Sequence, residues 1–153
     1  MGYGYGTYIK SDMAYIKENT IINIGDSYLV FSFKIPTEIS NETSFNHDNA
    51  LYLQIYNGKK QYEPIIISQG NKILYTIGRS EINDVMIEDK MLSRVHCFIY
   101  FDNKIWVIKD GNQSGVQSTN GTWIFAYEDT EITNGMMFKS NTYNFLCKIV
   151  NAI

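Results

Sequence analysis

Short apolar runs alternating with polar positions, separated by turn-forming residues, fill most of the chain, and no helical period of useful length interrupts them. In LYLQIYNGKK the apolar side chains of Leu51, Leu53 and Ile55 share one face of a strand. Asn57-Gly58 then predicts a hairpin turn, because both residues tolerate positive φ, with EPIIIS as the returning strand. The runs KILYTIG, DVMIE, VHCFIYF, KIWVIKD, TWIFAY and TYNFLCKIV continue the pattern downstream, while NTIINIG and SYLVFSFKI begin it upstream. So many short strands at this spacing predict an all-β sandwich.

Between the two groups lies PTEISNETSFNHDNA, from Pro36 to Ala50, whose polar turn formers predict a linker or long loop. His47 sits in it as a solvated loop residue. The upstream group also resembles the end of the chain: Gly6-Thr7-Tyr8-Ile9 matches Gly121-Thr122-Trp123-Ile124, TIINIG matches TEITNG, and YLVFSFKI matches YNFLCKI. Hairpins that begin with Gly-Thr also recur by chance. Taken as a true repeat, residues 1–35 are the C-terminal half of a second copy, residues 36–50 a linker, and residues 51–153 a complete domain. Its unpaired apolar strands need cover, from the complete domain, from upstream sequence, or from a partner chain that supplies the missing front half.

A length of 153 residues suits one compact domain, and 44% hydrophobic with 19% charged residues places the chain among globular proteins. The net charge of -3 supplies no global field for nucleic acid or anionic membrane, so any anion site must be local. Both cysteines, Cys97 and Cys147, lie in apolar strand-like runs and read as small buried hydrophobes. Two histidines and two cysteines without ligand spacing predict no metal site, and nothing predicts a cofactor. The absence of a signal peptide and of an apolar run of transmembrane length gives an intracellular expectation, nuclear or cytoplasmic.

Three polar clusters stand at predicted strand ends: Gly78-Arg79-Ser80, Ser93-Arg94-Val95-His96, and Ser118-Thr119-Asn120-Gly121-Thr122. In a sandwich such ends meet at one rim, where loops on a rigid scaffold build binding sites. Guanidinium forks, hydroxyls and an amide gathered there suit an anion, phosphate above all. Each residue alone has an ordinary alternative. Arg79 could pair with Glu81 or Asp84, and Ser93 and Thr119 could cap turns.

The ordered series G-R-S, N-D, S-R-x-H and (S/T)-x-N-G-T, over roughly Leu51 to Val150, resembles the forkhead-associated (FHA) domain. That family is a β-sandwich of two mainly antiparallel sheets that recognises phosphothreonine in partner proteins; here it would carry extra N-terminal strands. The resemblance implies Arg79 and Ser93 as phosphate ligands, with Thr119 as a further donor. It also implies Arg94 as positive charge at the edge and Asn120 as a bond to the peptide backbone. Ser118 and Lys90 are additional candidate contacts, and Gly78, His96 and Gly121 are architectural. Two departures from the pattern, the enlarged loop GNQSGVQ and AYEDTE after GTWIF, bear on which peptide fits. Catalysis by Ser93 and His96 is disfavoured, since no acid partner orients the pair. The chain is thus expected to be a non-enzymatic module that docks phosphothreonine proteins; the alternative is a phosphate-independent scaffold within a larger complex.

Overall fold

The computed structural model describes residues 6–34, 49–70 and 72–150; most of the predicted linker, with His47, lies outside them. Among the described residues, fourteen strands run in chain order as β1 (Thr7–Lys10), β2 (Met13–Tyr15), β3 (Ile21–Ile24), β4 (Ser27–Ser32), β5 (Ala50–Asn57), β6 (Lys60–Gln61), β7 (Ile65–Ser68), β8 (Leu74–Gly78), β9 (Val85–Met86), β10 (Cys97–Asp102), β11 (Ile105–Asp110), β12 (Thr122–Phe125), β13 (Met137–Ser140) and β14 (Tyr143–Leu146). They form an all-β sandwich. One sheet has nine strands in the order β14-β13-β1-β12-β3-β4-β5-β6, with β7 also on β5; the other has five, in the order β2-β11-β10-β8-β9. Every pairing between the named strands is antiparallel except β8 with β9.

The alternation seen in sequence becomes the core directly. Leu29 and Phe31 of β4 and Leu51 and Leu53 of β5 are fully buried on the inner face of the large sheet. Across from them lie Ile77, Cys97, Ile99, Trp106 and Ile108 of the small sheet, joined in one cluster. Burying each such aliphatic side chain is worth roughly 1.5–3 kcal/mol. Burial also pushes the Cys97 thiol far above its ordinary range, so it is inert. Cys147 differs from the expectation for a buried cysteine, because it follows an edge strand and is only partly covered.

The N-terminal strands are built into both sheets. Strand β1 lies between β12 and β13, β2 pairs with β11, and the β3–β4 hairpin fills the place between β12 and β5. Lys139 ties the two ends of the chain together, bonding Asn23 Oδ1 with its ammonium 4.6 Å from the Trp123 ring centroid. Burial lowers this lysine to about 8.

One turn moves by a residue. The hairpin after β5 closes on Gly58-Lys59, with Asn57 opposite Lys60, whereas the sequence pointed to Asn57-Gly58. The cause is the Asn57 side chain, whose Oδ1 accepts from Lys59 N–H at 2.9 Å and so starts the turn one residue later. Its Nδ2 meanwhile donates to Ser27 Oγ at 2.8 Å, locking β5 to β4. The returning strand follows as the short β6 and then β7, which pairs with β5 from Ala50 to Leu53. Among the described residues, no helix is long and apolar enough to cross a membrane.

Candidate functional site

The site forms where three connections leave the ends of β8, β9 and β11. After β8 the chain turns at Arg79-Ser80, held by Arg79 N–H to Ser93 C=O at 3.2 Å and Ser80 N–H to Arg94 C=O at 3.3 Å. Asn83 braces the same place, its Nδ2 donating to the carbonyls of Ser80 and Arg94. This close approach requires glycine at position 78, since a Cβ there would lie 2.2 Å from the Arg94 carbonyl oxygen. A glycine chosen for packing thereby aims the adjacent arginine outward.

The second connection, Asp89 to Arg94, is anchored by the buried Asp89 carboxylate. It accepts from Asp26 N–H and Ser27 Oγ–H, each at 2.8 Å, and from Met91 N–H at 2.8 Å. The third, Gly111 to Gly121, is fixed at both ends. Asn112 Oδ1 accepts the amides of Ser114 and Val116, which makes the enlarged loop an ordered turn. At its far end Thr119 N–H donates to Ser93 Oγ at 3.0 Å, and Asn120 Nδ2 donates to Met91 C=O at 2.6 Å.

These loops enclose a hollow whose wall includes Arg79, Lys90, Ser93, Arg94, Thr119 and Asn120. Arg79, Lys90 and Arg94 are exposed, and none belongs to the ion pairs seen among the described residues. Asp84, one sequence candidate to neutralise Arg79, is bonded instead to Lys72 and Thr76. Three cations outside those ion pairs, beside two hydroxyls, give the hollow a composition suited to an anion. A family model of the FHA domain matches residues 75–141, the stretch that carries all three connections. Over these residues the chain matches the FHA domain. No curated protein matches the chain. FHA domains are in general phosphopeptide-binding modules for protein–protein interaction, which accords with the hollow's charge.

Within the FHA domain, Ser118 lies apart from the other sequence candidates. It faces inward, donating through Oγ to Asp110 Oδ1 at 2.6 Å and accepting from Gly121 N–H at 2.9 Å. Asp110 itself, buried at the end of β11, also takes Ser118 N–H and Thr122 Oγ–H. Sequence reasoning missed both Asp89 and Asp110. Each is a lone acid at a strand boundary, and only the tertiary fold gathers the donors around it.

His96 is fully buried between two connections of the FHA domain. Its Nδ1 accepts from Ser93 N–H at 3.2 Å, and its Nε2 lies 3.1 Å from the Gly121 carbonyl. The first contact requires a bare Nδ1 and the second a protonated Nε2, so the neutral tautomer is specified. With both ring nitrogens on backbone groups, neither can act as base for the Ser93 hydroxyl. Burial pushes the ring below its ordinary value, outweighing the upward pull of the Gly121 carbonyl and of Asp110 and Asp89. A lowered base binds protons more readily unfolded than folded, so stability rises with pH in this window. The His96 contribution is fully present above the unfolded value of about 6.5 and is lost as pH falls towards the folded value. Chemical denaturation at pH 7.5 and at pH 5 is expected to show this loss, and a folded His96→Gln variant should lack that component.

Proposed function

We propose that the hollow binds phosphothreonine in partner proteins, making the chain a docking module for proteins that a kinase has marked. What supports this is the convergence of Arg79, Lys90, Arg94, Ser93 and Thr119, with no carboxylate in an ion pair with any of the cations among the described residues. A phosphate of about -1.5 to -2 charges would take the Arg79 fork and the Ser93 hydroxyl as direct ligands, with Thr119 beside them. Arg94 and Lys90 would add charge at the edge, and the Asn120 side chain, already aligned by Met91, would meet the peptide backbone. Ser118, Asp110, His96, Gly78 and Gly121 would position the ligands without touching them.

Charge-assisted hydrogen bonds contribute about 1.5–3 kcal/mol each, so three or four, less the ordering cost, give roughly micromolar affinity. The preference for threonine over serine rests on the family resemblance. A binding role without catalysis is supported by the engagement of both His96 ring nitrogens with backbone. Fluorescence anisotropy against an oriented phosphothreonine peptide library, with phosphoserine and unphosphorylated versions alongside, tests the proposal. The expected result is saturable binding of phosphothreonine peptides alone. Equal binding of unphosphorylated peptides would favour a phosphate-independent scaffold.

A further inference from the structure

The two ends of the chain make the same pattern of contacts. In the large sheet, β12 holds the β3–β4 hairpin and β1 holds the β13–β14 hairpin, with β1 and β12 side by side. Thr7, Tyr8 and Ile9 pair with Ser140, Lys139 and Phe138, while Thr122, Trp123 and Ile124 pair with Ile24, Asn23 and Ile22. Ile21 to Ile24 pair with Val30 back to Ser27, and Met137 to Ser140 pair with Leu146 back to Tyr143. Equivalent turns agree in conformation, with φ 54° at Gly25 and 57° at Asn141, and 61° at Asn19 and 82° at Gly135. Thr20 N–H bonds Lys17 C=O as Met136 N–H bonds Thr133 C=O, and Phe31 bonds Thr20 as Cys147 bonds Met136.

This correspondence moves the alignment suggested by sequence, in which TIINIG met TEITNG. Register places Thr20 with Met136 and Gly25 with Asn141. Asparagine replaces glycine at the turn, where positive φ is tolerated by both. The side chains then separate in fate. Ile16, Leu29 and Phe31 of the N-terminal unit are at most 2% exposed, whereas their counterparts Ile132 and Phe145 are 62% and 45% exposed and Cys147 is partly covered. The C-terminal hairpin therefore has the backbone shape of a core hairpin and an apolar face without a core.

We propose that β13–β14 is a second closing hairpin for the place between β12 and β5, and that the two hairpins exchange as alternative closures. The connection between β12 and β13, residues 126–136, spans up to about 36 Å extended, while the distance across three strand spacings is about 14 Å. The N-terminal hairpin holds the place in this structure because its core positions are larger and more apolar. Ile24 and Phe31 correspond to Ser140 and Cys147, while Ile22 and Leu29 are matched by Phe138 and Phe145.

The exchange would also be felt at the phosphate loop, a consequence that rests on the phosphopeptide proposal. Ser27, which donates to Asp89, corresponds to Tyr143, so that short hydrogen bond would be lost. Gly25 corresponds to Asn141, and a Cβ at Gly25 would lie 2.9 Å from Asp89 Oδ2, 3.0 Å from Met91 Cβ and 3.2 Å from Leu92 Cδ2. Closure by the C-terminal hairpin thus displaces the loop carrying Lys90, Ser93 and Arg94. The two closures differ in affinity for the same peptide.

Hydrogen exchange by NMR on the full chain carrying Ser140→Ile and Cys147→Phe tests the exchange without any ligand. Both substitutions fall on partly covered positions of the present structure and supply the missing core volume. The expected result is that protected amides appear on alternate residues of β14 while β4 acquires the exchange of an edge strand. Phe31→Ser, which weakens the resident hairpin instead, should shift protection the same way. Protection remaining on β4 in the double variant, or loss of structure in Phe31→Ser without new protection in β14, overturns the proposal. Phosphopeptide affinity in the double variant should fall about tenfold. Unchanged affinity after a demonstrated exchange overturns the coupling to the loop. Absence of binding in both the parent and the variant refutes the phosphopeptide proposal, while the exchange data still decide the hairpins.

Discussion

Arg79→Ala is expected to weaken phosphopeptide binding at least about a hundredfold, leaving the fold intact. Arg79 is exposed at the start of its turn and takes part in no ion pair among the described residues, so its loss uncovers no buried group. The backbone bond from its N–H to Ser93 C=O survives the substitution. What disappears is the guanidinium fork, and a bidentate contact to phosphate supplies about 3 kcal/mol or more. That amounts to at least about a hundredfold in affinity, which takes a micromolar complex to a Kd of about 0.1 mM or weaker. Isothermal titration with a phosphothreonine peptide, alongside an unchanged denaturation midpoint, checks both halves. Arg79→Lys should recover only part of the affinity, because an ammonium cannot reproduce the planar fork. Undiminished binding by Arg79→Ala would remove this residue from the site.

Asp110→Ala should do the opposite, sparing the ligand set while loosening the frame behind it. The Asp110 carboxylate collects three donors, Ser118 N–H at 3.0 Å, Ser118 Oγ–H at 2.6 Å and Thr122 Oγ–H at 2.7 Å, all buried. Alanine would leave them without an acceptor, and each unsatisfied buried donor costs about 1–3 kcal/mol. A destabilisation of about 3–5 kcal/mol follows, a large part of the stability of a domain this size. The shift in urea midpoint measures it. Asp110→Asn keeps an acceptor but brings amide hydrogens towards existing donors, so it should recover only a minor share.

What could be seen in the sequence was whatever depends on local order. The period of two in Leu51-Leu53-Ile55 is fixed by which face meets the core, and β5 appears where the alternation puts it. The candidate ligands were visible because Arg79 follows a predicted strand while Ser93 and Thr119 precede one, in motifs of set spacing, and the structure brings them to one hollow. Asp89 and Asp110 were not visible. A buried carboxylate is stabilised by donors from elsewhere in the chain, and nothing near either acid announces Ser27 or Thr122. The turn at Gly58-Lys59 escaped for a related reason: Asn57 has a side-chain acceptor for Lys59 as well as a tolerant backbone, and the acceptor decided the register. Likewise, TIINIG and TEITNG match by letter, whereas strand pairing aligns residues by hydrogen-bond position, which sets Ile22 with Phe138.

The insertion of β1 between β12 and β13 bears on how the chain reaches its fold. Tyr8, among the first described residues, pairs with Phe125 and Lys139, so the earliest strand finds neighbours only near the other end of the chain. Contacts this distant in sequence are characteristic of domains that fold in milliseconds to seconds, because loop closure must precede the gain. At a synthesis rate of about 5–20 residues per second, β1 waits on the order of ten seconds on the ribosome for β12 to appear. During that wait the β3–β4 hairpin can meet β5 but cannot be seated on both sides. The nascent chain therefore passes through a half-built sandwich with apolar strand edges exposed, and its yield in a cell depends on how well that interval is protected.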